Sequence, residues 1–183
     1  MLLNQRKCQM PLTNKEINKI FSNSASMMNY AMPGFLPVGI SRFQAFLAIQ
    51  SVLTDKQYWK TLRDAYVSSD DLYHYRVDIG IAFRSNRLFK ENLMNAKEKK
   101  MIDQLPEILT IYRGGSTIEG EEDEYGISWT LSKSVAEYFA FTYPRNPSTA
   151  ENPKRVYESQ VKKSEILALF LGRKEDEVIY LAD

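Results

Sequence analysis

From Thr13 to about residue 105, apolar side chains recur at intervals of three and four, the period of a helix that buries one face. Thr13-Asn14-Lys15-Glu16 has the spacing of a capping box ahead of Ile17, Ile20, Phe21, Met27 and Met28, so a helix is expected to start near residue 14. Pro33, Gly34 and Pro37 break that pattern. Ser41 opens a second helix through Phe43, Phe46, Leu47, Ile49, Gln50 and Leu53, and Thr54 or Asp55 caps a third carrying Tyr58, Trp59, Leu62, Ala65 and Tyr66. Aromatic residues at this spacing read as core. Ser68-Ser69-Asp70-Asp71 marks a turn or a new cap, and another helix is expected from about Leu88 to Leu105, where Pro106 stops it.

At Pro106 the period changes. Ile108-Leu109-Thr110-Ile111-Tyr112 is a β-branched and aromatic run with no helical signal, and further strands are expected near residues 126–130, 155–161, 166–171 and 178–181. One helix lies between them, around Val135, Ala136, Phe139 and Ala140, with capping-box spacing at Ser134 and Glu137. The expectation is an α+β protein in which a helical lobe, residues 1–105, joins a mainly antiparallel sheet core, residues 106–183, in one compact unit.

A chain of 183 residues is long enough for a core that folds without staples. Its 24 basic and 23 acidic residues nearly cancel, so no global positive field gathers nucleic acid, and a polynucleotide substrate is disfavoured. The lone Cys8 cannot close an internal disulfide, and no Cys/His cluster has zinc-site spacing. Leu2 and Leu3 are too few for a signal-peptide core and no later run approaches membrane-spanning length, so the protein is expected to be soluble and made in the cytoplasm. His74, between Tyr73 and Tyr75, reads as packing rather than catalysis. The acidic run Glu119 to Glu124 lacks the ligand spacing of a calcium loop and is expected to be a solvated loop.

Three segments could carry chemistry. Arg113 follows a predicted strand and precedes Gly114-Gly115, which puts a planar fork of donors beside backbone that a ligand can approach closely. In Ser128-Trp129-Thr130, strand alternation places both hydroxyls on one face and the indole in the core. In Glu175-Asp176-Glu177 an extended backbone would turn both carboxylates to one face, able to meet a sugar ring and an incoming nucleophile. Taken singly, these are a surface ion pair, an ordinary edge strand and a solvated turn.

Taken in order, Leu105-Pro106 through Tyr112-Arg113-Gly114-Gly115, then Ser128-Trp129-Thr130-Leu131-Ser132, then Glu175-Asp176-Glu177-Val178, the chain resembles the mono-ADP-ribosyltransferases of the Arg-Ser-Glu class, which includes bacterial toxins and phage enzymes. The likeness covers roughly residues 106–183. It implies a split sheet with an NAD-binding cleft, NAD serving as co-substrate and no metal being required. By that resemblance Arg113 binds phosphate or the nicotinamide-side ribose, Gly114 and Gly115 line the nicotinamide site, and Ser128 with Thr130 supports the catalytic Glu177. Glu175 matches the first glutamate of members that modify arginine, which implies a target protein bearing an acceptor arginine. The ring stacked on nicotinamide would be Phe139 or Tyr138, with Phe139 preferred. Thr130 stands where a second serine is frequent, and the acidic run has no counterpart. The other readings are an NAD glycohydrolase using water as acceptor, an inactive interaction protein on the same fold, and modification of nucleic acid. The family also allows action inside a host cell after delivery.

Overall fold

The computed structural model describes residues 11–27, 41–69, 72–121, 125–144, 147–172 and 175–181. The expectations that fall on Leu2, Leu3, Cys8, Met28, Pro33, Gly34, Pro37, Asp70 and Asp71, and on residues 122–124 of the acidic run, lie outside them. Contacts group the chain into two units, Met1–Leu72 with Asn86–Leu93, and Tyr73–Ser85 with Met94–Asp183. The helix-to-strand change at Pro106 is therefore not where packing divides the chain, because the helices of residues 76–83 and 96–104 group with the sheet.

In the first unit the caps act as their spacing predicts. Helix α1 (Asn14–Met27) follows Thr13, whose backbone N–H and hydroxyl both donate to the Glu16 carboxylate at 2.7 Å. Ser41 with Gln44 and Thr54 with Gln57 form reciprocal boxes at the starts of α2 (Arg42–Ile49) and α3 (Asp55–Val67), satisfying backbone donors that a helix start leaves open. Phe43, Phe46, Trp59 and Leu62 are wholly buried, and Tyr58 sets its ring edge-on to both Phe46 and Trp59. The Trp59 indole N–H donates to the Leu88 carbonyl at 2.8 Å, so the ring adds apolar area without orphaning its polar atom. Here the aromatics at helical spacing are core.

The helix expected from Leu88 to Leu105 is interrupted. Phe89 sits in the left-handed region at φ 63°, a single 3-10 turn covers residues 90–92, and α5 (Ala96–Gln104) starts afresh under Asn95, which accepts from the Glu98 N–H. Asparagine competes for backbone hydrogen bonds and so favours a cap over a helix interior.

The second unit holds α4 (Arg76–Phe83), α5 and one antiparallel sheet, so the fold is α+β. Its strands are β1 (Ile108–Ser116), β2 (Ser128–Thr130), β3 (Lys154–Lys162), β4 (Ala168–Phe170) and β5 (Glu177–Ile179), in the spatial order β3-β1-β2-β5-β4. Between strands lie the short helices α6 (Thr117–Glu121) and α7 (Lys133–Glu137), the latter continued by a π-helical turn over Tyr138–Thr142. Ser132 is the N-cap of α7, so the spacing of Ser134 and Glu137 does not become a capping box. One sheet face buries Leu109, Ile111, Trp129, Tyr157, Val161, Leu169 and Val178 together. Full burial of such side chains contributes about 1.5–3 kcal/mol each before the ordering entropy is set against it.

Candidate active site

Where β1, β2 and β5 meet α7 and the π-helical turn, the second unit contains a cleft of about 210 Å³. All eight residues singled out in the sequence line it. Arg113, Gly114 and Gly115 come from β1, Ser128 and Thr130 from β2, Phe139 from the π-helical turn, and Glu175 with Glu177 from the entry to β5. The pairing brings the strands together, with Thr130 opposite Tyr112 of β1 and opposite Glu177 of β5, while Arg113 alternates in phase with Trp129. Trp129, one residue out of phase with Thr130, faces the core at 4% exposure.

The Ser128 hydroxyl donates to Glu177 Oε1 at 2.6 Å, a short bond of the charge-assisted kind. The Thr130 hydroxyl donates instead to the Glu175 carbonyl at 2.6 Å and accepts from the Ser132 N–H at 3.1 Å. Its one donor is thus used to hold the turn that carries the glutamates. That turn is not the extended segment expected from the sequence. Asp176 has φ 45° and β5 begins only at Glu177, so both carboxylates reach the cleft through a left-handed kink rather than through strand alternation. Aspartate is among the few residues that accept this conformation cheaply.

Arg113 also differs from its expected placement. Strand β1 runs on through Gly114 and Gly115 to Ser116, so Arg113 lies within the strand, opposite Tyr157 of β3. Its Nε donates to Glu119 Oε2 at 2.7 Å, its Nη2 to Glu119 Oε1 at 3.1 Å, and its Nη1 to the Ser128 carbonyl at 2.8 Å. Three of the five guanidinium N–H groups are therefore held by the protein.

The glycines serve packing. A Cβ on Gly114 would collide with the Ala136 carbonyl and stand 2.6 Å from the Ala140 nitrogen, so this glycine admits α7 and its π-helical extension against β1. The helix fills the side on which a Cβ would stand, while Gly114 still lines the cleft. A Cβ on Gly126 would strike the Arg113 guanidinium, so glycine there lets the side chain lie against the backbone leading into β2.

Among the cleft residues that the sequence did not assign to a site are Glu119, Tyr143 and Lys154. Glu119 was counted in a solvated loop, yet it turns inward from α6 with its side chain only 11% exposed. Burial pushes its carboxyl up, but the Arg113 fork and the Gly126 and Ser116 N–H groups outweigh this and hold it below the ordinary carboxylate range. Ser116 to Glu119 has capping-box spacing, a sign that could have separated Glu119 from the acidic run behind it. Lys154 reaches the cleft because β3 starts opposite Ser116. Burial lowers its pKa and Arg113 lowers it further, while Glu119 opposes both. Nothing in the sequence around Lys154 sets it apart from the other basic residues. Phe139, half-buried, lines the cleft, with the Tyr143 ring 5.2 Å away, whereas Tyr138 is 45% exposed and does not.

Among the described residues no helix is long and apolar enough to cross a membrane, and no group of three or more His, Cys, Asp or Glu side chains is placed to hold a metal ion. Compared with protein-family models, with curated proteins and with solved structures, the chain matches none.

Proposed function

We propose that the protein is a mono-ADP-ribosyltransferase of the Arg-Ser-Glu class, its sheet the split sheet of that family, moving ADP-ribose from NAD to an arginine of a target protein. The observation that carries this reading is the Ser128 to Glu177 hydrogen bond in a cleft that also receives Glu175 and Phe139. In the reaction, the bond between ribose C1′ and the nicotinamide nitrogen breaks, and its electron pair leaves with neutral nicotinamide. Glu177, held in place by Ser128, stabilises the cationic sugar that remains. Glu175 takes a proton from the acceptor guanidinium, whose nitrogen then forms the new bond to C1′. Phe139 offers a face to the nicotinamide ring.

The cleft is smaller than the roughly 300–1,000 Å³ pockets that enclose a drug-sized ligand. It therefore suits the nicotinamide-ribose end of NAD, with the rest of the dinucleotide at the rim. Because the Arg113 charge is balanced by Glu119, Lys154 is the cation offered to the diphosphate.

Incubation with labelled NAD and a mixture of basic proteins tests the reading. Wild-type protein is expected to label protein, while Glu175→Ala is expected to retain NAD cleavage and lose transfer. Retention of both activities by that variant would remove Glu175 from the acceptor step. NAD consumption without labelled protein would make the enzyme a glycohydrolase.

A further inference from the structure

Glu119 has no place in the chemistry just described, yet it lies in the same cleft and makes four hydrogen bonds there. Oε2 accepts from Arg113 Nε and, at 3.1 Å, from the Gly126 N–H, while Oε1 accepts from Arg113 Nη2 and, at 3.3 Å, from the Ser116 N–H. An ionised carboxylate has about four acceptor sites, so its capacity is filled. It has no lone pair left for a proton in transit, which excludes a general-base role in this state. What it does join is the last residue of β1, the segment entering β2, and the guanidinium that grips the Ser128 carbonyl. Helix α6, which carries Glu119, is itself fixed, since the Tyr157 hydroxyl donates to the Ser116 carbonyl and accepts from the Gly120 N–H.

We propose that Glu119 is a positioning residue, which locks Arg113 onto the Ser128 backbone and through it sets the hydroxyl that orients Glu177. Arg113 then acts first as a strut within the site and only through its remaining N–H groups on a ligand. The kinetic consequence rests on the transferase reading, whereas the structural one does not. The opposite role makes an opposite prediction. If Glu119 merely occupied an arginine meant for the diphosphate, releasing that arginine would tighten NAD binding.

The test compares wild type with Glu119→Gln, which preserves shape and removes the charge, and with Arg113→Lys, which keeps a charge but cannot hold Glu119 and Ser128 as a fork. Hydrogen exchange of the segment 126–131 is expected to speed up on the order of tenfold in both variants, with β3 exchange unchanged. In NAD cleavage by Glu119→Gln, kcat is expected to fall by roughly 10- to 100-fold with KM within about twofold of wild type. Unchanged exchange at 126–131 overturns the proposal, as does a lowered KM for NAD with kcat retained. If wild type leaves NAD intact, the transferase reading falls, and the exchange measurement alone decides whether Glu119 positions β2.

Discussion

Two glutamates that line one cleft, each at its own end of the chain of contacts through Arg113 and Ser128, show how neighbours divide the work of identical side chains. At one end, Glu119 is closed in by a guanidinium and two backbone N–H groups, and its carboxyl is held below the ordinary range. At the other, Glu177 receives a serine hydroxyl at the mouth of β5, beside a kinked turn that also delivers Glu175. The closed end is already neutralised and suits construction. Under the proposed chemistry Glu177, aimed by the Ser128 hydroxyl, is the carboxylate that meets charge developing on the substrate.

The comparison breaks most sharply at Glu177. Ser128→Ala removes the hydroxyl that aims Glu177 and should lower kcat for NAD cleavage about 100-fold with little change in KM, measured by initial rates. An unchanged kcat would mean that Glu177 needs no orientation. At the closed end, Glu119→Gln should cost about 1–3 kcal/mol of stability at pH 7, measured by denaturant unfolding. The sign of its pH dependence follows from the lowered folded pKa. The ion pair's contribution is complete above the ordinary value of 4.5 and is lost as pH falls through the depressed folded value, so wild type and variant should converge in acid. A gap that persisted below the folded pKa would show that the cost comes from packing. A smaller effect is expected from Lys154→Ala, which should raise the KM for NAD about tenfold and leave kcat near wild type. An unaltered KM would place the diphosphate on other donors.

How legible each end was in the sequence follows from the kind of information that built it. Helix caps and aromatic core positions depend on residues three or four apart, so α1, α2 and α3 were readable locally, as was the α+β class from the change of period at Pro106. The ordered segments around Arg113, Ser128 and Glu177 named seven residues that do line one cleft, and the helix after Thr130 supplied an eighth, Phe139. What sequence spacing could not supply was pairing and backbone hand. Lys154 enters the cleft only through the β1 to β3 register, and the kink at Asp176 replaced the extended geometry assumed for the two glutamates. Likewise, nothing local to Gly114 signalled that α7 packs on the side where a Cβ would stand. Glu119 was hidden by its neighbours, since an acidic run reads as solvated even when its first member turns inward.

Glu177 is the residue on which the proposed chemistry turns. Purified wild type and Glu177→Ala, incubated side by side with NAD labelled in the adenylate half and a basic protein mixture, should differ by roughly a thousandfold in released nicotinamide, with label on protein in the wild-type reaction alone. Equal nicotinamide release and equal labelling by the two proteins would contradict the assignment of this cleft as the site of NAD cleavage.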